Sequence, residues 1–220
     1  DHSSGAATLG LAARLGVLLF DRLGRRKDAL DRFEVVLVDD PSAEGPAARV
    51  AELLGDTSLR ARAAEILERV YERRGADADL ARVLEVRREE CQSAEERRDI
   101  LVRLARLYDD AVRDPASAHR CYCALAVEAP DDEQVGRRVV VLSRETGLAA
   151  EGAQALARAA ELAQTPQDQR DGWLEAGRLW RSAGDVTAAE RCMRDAYSVA
   201  PDDAALALEP AEELVGLIDA

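Results

Sequence analysis

The chain has 220 residues, of which 47% are hydrophobic and only 4% aromatic, so a core built on it is mostly Ala, Leu and Val. Ala and Leu are strong helix formers, and Ala lets helices approach closely. Lys+Arg 30 against Asp+Glu 43 leaves a net charge of -13, which excludes nucleic acid and anionic membrane surfaces as expected partners, since both need a basic face.

Read in chain order, the sequence predicts helices over 6–23, 26–38, 43–54, 57–74, 77–91, 94–112, 115–128, 132–146, 149–164, 166–183, 185–199 and 202–218, with no strand. The first covers the most apolar run, Leu9 to Phe20, but Arg14 interrupts it and no basic segment precedes it. It therefore reads neither as a membrane span nor as a signal peptide, so no membrane insertion is expected. The chain opens on Asp1 rather than Met and is expected to be part of a longer protein. Phe20-x3-Gly24 and Tyr71-x3-Gly75 place an aromatic near a helix end and a Gly at the turn, where a left-handed residue stops the helix. Gly147 is a further predicted stop. Ser93-x-x-Glu96 is a capping box, while Asp114-Pro115 and Thr165-Pro166 set a capping side chain before a Pro at the first helical position.

A period runs through these elements. Ala29-x3-Phe33, Ala118-x3-Tyr122 and Ala189-x3-Met193 stand at equal distances before Pro41, Pro130 and Pro201. The last unit reads Trp173-x2-Ala176-Gly177-x2-Trp180, then Gly184-Asp185, Ala189, Met193, Ala196 and Pro201. Small Gly177 and Ala189 are expected at a close helix crossing, with Trp180 and Met193 filling the gaps beside it, and Pro201 ending the second helix. The string resembles the tetratricopeptide signature of Trp, Leu-Gly, Tyr, Ala, Phe and Pro. The resemblance implies an all-α, right-handed superhelical solenoid of antiparallel helix pairs with about 11–12 helices. It is clear over 10–42, 98–132 and 170–203 and weaker over 61–92 and 132–164. Pro130 and Pro201 stand close to two repeats apart, whereas Pro41 and Pro130 stand farther by about one short helix and its turn. An odd short helix is therefore expected at 43–55, with a terminal helix at 202–218, in one solenoid running over 1–220. The 98–132 unit also carries one extra residue at its turn, where Asp114-Pro115 replaces the Gly. Leu104-Ala105-Arg106-Leu107-Tyr108, Asp114-Pro115-x2-Ala118 and Ala129-Pro130-Asp131-Asp132 resemble the large Arg- and Ala-rich repeat proteins of myxobacteria and their relatives. That resemblance implies a bacterial scaffold, cytoplasmic or envelope-associated.

Little in the sequence points to chemistry. Cys91, Cys121, Cys123 and Cys192 form no disulfide framework, and free thiols suit a reducing cytosol. His119 and Cys123 share a helix face, but zinc needs about four ligands and the one other His is His2. Cys121 and Cys192 occupy the same repeat position, which favours packing. Adjacent acids such as Glu89-Glu90 and Asp109-Asp110 diverge on a helix, and no calcium or phosphate loop is present. No enzyme activity, metal or cofactor is expected. The functional expectation is a scaffold binding a peptide or helix of another protein, with self-association as the alternative. In such arrays the first helix of each pair lines a concave groove. Counting from the Pro places Leu101 or Val102, Arg106 and Asp109 there in one unit, and Asp171, Leu174, Arg178 and Arg181 in another. Arg106 and Arg178 either read a carboxylate-bearing ligand or pair with neighbouring acids. The chaperone-tail clamp of some tetratricopeptide proteins needs Lys and Asn, and this chain has one Lys, Lys27, and no Asn.

Overall fold

The structure, a computed structural model, describes residues 2–218, with side chains over 7–217. Among these residues there are twelve α-helices and no strand. The chain divides into two compact units, with the boundary after Ile100.

The first unit holds α1 (His2–Asp21), α2 (Arg26–Asp39), α3 (Glu44–Glu52), α4 (Arg60–Arg74) and α5 (Asp77–Glu90). Its α1 packs on α2 and α3, α2 on α3 and α4, and α4 on α5. Phe33, Leu30, Leu37, Val50, Leu53 and Leu67 form the centre of its core. Short α3 passes into a single 3-10 turn at Leu53–Gly55, so a short helix stands in the long spacing before Pro130. The unit boundary falls inside α6 (Ala94–Arg106).

The second unit continues through a π-helical turn at Leu107–Val112 into α7 (Pro115–Glu128), α8 (Glu133–Thr146), α9 (Ala149–Leu162), α10 (Pro166–Ser182), α11 (Val186–Val199) and α12 (Ala204–Ile218). Each helix from α7 to α11 packs on the next, and α7, α8 and α10 also touch α9, α10 and α12 respectively. Here the core is Ala-rich, with Ala153, Leu156, Ala176 and Leu179 at one level and Leu174, Met193 and Ala196 at the next.

Helix ends follow the local signals. Gly24, Gly75, Gly147 and Gly184 all have positive φ, from 62° to 85°, the conformation that glycine adopts without a Cβ penalty. Asp114 accepts from the Ser117 backbone N–H at 3.1 Å, and Thr165 accepts from that of Asp168 at 3.1 Å. The capping box is half formed. Glu96 N donates to Ser93 Oγ at 3.3 Å, but the Glu96 carboxylate turns to Arg87 and accepts from the Cys91 thiol instead.

The extra residue of the 98–132 unit is absorbed by the π-helical turn. A π turn is a one-residue insertion into an α-helix, and it moves the left-handed stop to Arg113, at φ 59°. The other units of this pattern use Gly for the same stop.

Several ion pairs between helices span about one repeat. Arg62 reaches Asp31 at 2.5 Å and Glu34 at 2.6 Å, Arg69 reaches Glu34 at 2.9 Å, Arg60 reaches Glu89 at 2.6 Å, and Arg49 reaches Asp21 at 2.8 Å. Each joins residues 28 to 35 apart in sequence, close to one repeat of about 34 residues. Burial works against charge at Glu34, but hydrogen bonds from Arg62 and Arg69 hold its carboxyl below the usual carboxylate range.

Candidate functional site

His119 and Cys123 do meet. The His119 ring is fully buried, with Nε2 at 2.9 Å from Ser143 Oγ of α8 and 3.5 Å from Cys123 Sγ. Burial lowers the His119 pKa and pushes the Cys123 thiol up to about 12. A neutral buried imidazole beside a protonated thiol is a packing pair, since the thiolate is the reactive form. Cys121 and Cys192, the two repeat-equivalent positions, are each 4% exposed. No group of three or more His, Cys, Asp or Glu side chains able to hold a metal occurs among the described residues. His2 lies outside the described side chains.

The residues expected in the groove have different fates. Leu101 and Leu174 are 2% exposed; Leu174 packs with Met193 and Ala196 against Leu214 and Leu217 of α12, so it is a core residue with no surface to offer. Arg178 is enclosed by three carboxylates, Glu209 at 2.6 Å, Glu175 at 2.7 Å and Glu213 at 3.1 Å. Burial works against its charge, but the carboxylates of Glu209, Glu175 and Glu213 raise its pKa further above the usual range. Arg181 joins Glu213 at 2.9 Å. Asp109, on the π turn, takes both a 2.7 Å bond from Arg138 Nε and a second from Arg138 Nη2. Val102 is half-buried and Arg106 is exposed.

An open groove of about 540 Å³ lies instead between α8 and α10, floored by α9. Val140, Leu156, Ala159 and Ala160 are 9% exposed or less and form its apolar base, while Val141 is 42% exposed on its rim. Its α10 wall is acidic, and its α8 wall is basic beyond Glu133, which pairs with Arg137 at 3.1 Å. Arg137 and Arg144 of α8 stand seven residues apart on one side. Asp168, Asp171 and Glu175 of α10 stand on the other, and Asp131, Asp132 and Glu133 close one end. Two glycines shape it. A Cβ on Gly172 would stand 2.9 Å from the Ala160 Cβ, so Gly172 lets α10 lie tight on α9. A Cβ on Gly136 would meet nothing nearer than Leu156 Cδ2 at 3.9 Å, so the absent side chain there leaves groove volume. The spacing pattern located the helices that line this groove, but its lining differs from the one counted off the Pro register, with Asp171 the one residue they share.

The crossing of α10 and α11 decides the likeness. A Cβ on Gly177 would stand 2.6 Å from Met193 Cε and 3.3 Å from the Ala189 carbonyl oxygen, so the two helices touch at the small residues of the signature. The fold is tetratricopeptide-like. No family model matches the chain, and no curated protein does. Among solved structures, the thermophilic tetratricopeptide protein TTC0263 of Thermus thermophilus is 20% identical with a TM-score of 0.32, over 94% of this chain and 99% of that one. BtubC (BKLC) of P. vanneervenii is 18% identical with a TM-score of 0.33, over 90% of this chain and 88% of that one. The tetratricopeptide-like fold stands on the repeat and on the close crossing at Gly177.

Proposed function

We propose that the chain is a non-catalytic protein-interaction scaffold whose α8–α10 groove receives a segment of another protein. The observation carrying this reading is the groove itself, an open trough with an apolar floor between charged helical walls, the form in which helical repeats present a binding surface. A bacterial cytoplasm remains the proposed compartment, on the thiol usage of the sequence. No helix of the described residues is long and apolar enough to cross a membrane. A photo-crosslinking residue at Val141 tests the reading, with one at exposed Tyr197 of α11 as the reference. Adducts with a discrete partner are expected from position 141. Equal yields from both positions would remove the groove as the site.

Self-assembly is a second reading with its own observation. Leu11, Leu15 and Leu18, spaced four and three residues apart on α1, are 66%, 44% and 53% exposed. Such spacing puts them on one helix face, an apolar stripe left exposed among the described residues of the first unit.

A further inference from the structure

We infer that the occupant of the α8–α10 groove is a cationic amphipathic helix, lying along the groove with its apolar face on Val140, Val141 and Leu156 and its Lys or Arg side chains against α10. This rests on the groove reading above. Six carboxylates and two guanidiniums line the trough, so its own field favours a basic ligand. The net charge of -13 adds long-range attraction of the same sign. The acidic ligand that a repeating Arg strip implied is disfavoured in this trough, because Arg178 and Arg181 are not among its lining residues and hold glutamates of α12.

The spacing of the walls selects a helix. Asp168, Asp171 and Glu175 fall at i, i+3 and i+7, and Arg137 and Arg144 at i and i+7. A helix laid alongside presents its own flanking side chains at the same pitch, so its Lys or Arg residues meet the carboxylates of α10 in turn. The carboxylates keep capacity for this. Asp171 accepts from Arg170 and Gln167, and Glu175 from Arg178, while an ionised carboxylate has about four lone-pair sites.

The test uses the whole chain and three synthetic peptides of about five helical turns sharing one Leu/Ala face, with Lys, Gln or Glu on the flanks. Binding is read by fluorescence anisotropy against the parent, Gly136→Leu and Arg137→Glu/Arg144→Glu. Gly136→Leu fills the trough from a helical position with room for a Cβ, so it blocks the groove while circular dichroism stays that of the parent. The Lys peptide should bind at least tenfold tighter than the Glu peptide. Gly136→Leu should abolish that binding, and Arg137→Glu/Arg144→Glu should strengthen it several-fold. If the Gln or Glu peptide binds as tightly as the Lys peptide and Gly136→Leu still blocks it, the groove stands and the cationic occupant is overturned. Should no peptide bind, or Gly136→Leu leave binding unchanged, the groove itself is lost along with the inference.

Discussion

Gly177 and Gly136 both sit in helices that wall the second unit, yet they have opposite reasons to be small. At Gly177 a Cβ would fall 2.6 Å from Met193 Cε and 3.3 Å from a backbone oxygen that does not give way. Gly177→Leu should therefore destabilise the protein by roughly 1–3 kcal/mol or more through overpacking, read as a lower urea midpoint. Gly136→Leu should hold or raise that midpoint, because an open helical glycine costs about 1 kcal/mol relative to a good helix former. The His119 cluster makes a pH prediction. Burial depresses the imidazole pKa below its ordinary value of 6.5, with Glu151 opposing the shift and Arg120 adding to it. The unfolded chain then binds more protons than the folded one in the window just below 6.5. This contribution to stability is complete above pH 6.5 and is lost as the pH falls through it. Urea midpoints of the parent should drop between pH 8 and pH 5 by more than those of His119→Gln, which keeps a polar partner for Ser143 without the titration. Parallel slopes would show that the ring does not titrate on unfolding. Glu34, held below its ordinary value of 4.5, acts in the same direction but at lower pH.

At the scale of the element, the π turn after α6 shows how a repeat accommodates an inserted residue. The helix bulges over Leu107–Val112, and the stop lands on Arg113 in the left-handed region, which costs a non-glycine residue roughly 1–2 kcal/mol. Arg113→Gly should raise stability by about 1 kcal/mol, less than the relieved strain because glycine also gains freedom in the unfolded chain. A thermal melt decides it, and a lower melting temperature would mean that the Arg113 side chain contributes more than its backbone costs. Arg138 grips Asp109 from α8 on the same turn, so Asp109→Ala should loosen this segment, visible as faster amide exchange over 107–112. Surface pairs are usually worth less than about 1 kcal/mol, so the effect is expected to be local.

For the whole molecule, the exposed stripe on α1 decides between a monomeric scaffold and a self-associating one. Burying three leucines in a second copy would contribute several kcal/mol at about 25 cal/mol per Å² of apolar surface. If that contact forms, sedimentation across a concentration range shows mass rising with concentration, and Leu15→Glu/Leu18→Glu returns it to the monomer. A parent that sediments as a monomer throughout would leave the stripe to some other partner.

What the sequence determined by itself was local. A left-handed stop favours Gly, a Pro just past the last turn keeps a helix from continuing, and a Thr or Asp before Pro starts one, so helix ends at Gly75, Gly147, Pro130 and Thr165 were legible within one or two residues. The crossing at Gly177 was legible as well, because repetition of small residues at fixed distances exposes it. What only the tertiary structure decided was where the charges go. The partners of Arg178 lie 31 and 35 residues away on α12 as well as three residues away on α10, and an Arg side chain reaches whichever carboxylate packing brings near. Leu174 is core rather than groove for the same reason, since α12 covers it. The α8–α10 trough arises from the tight seat of Gly172 on Ala160 and the open space at Gly136. Two glycines in similar helices carry no mark in the sequence that tells a close contact from a vacancy.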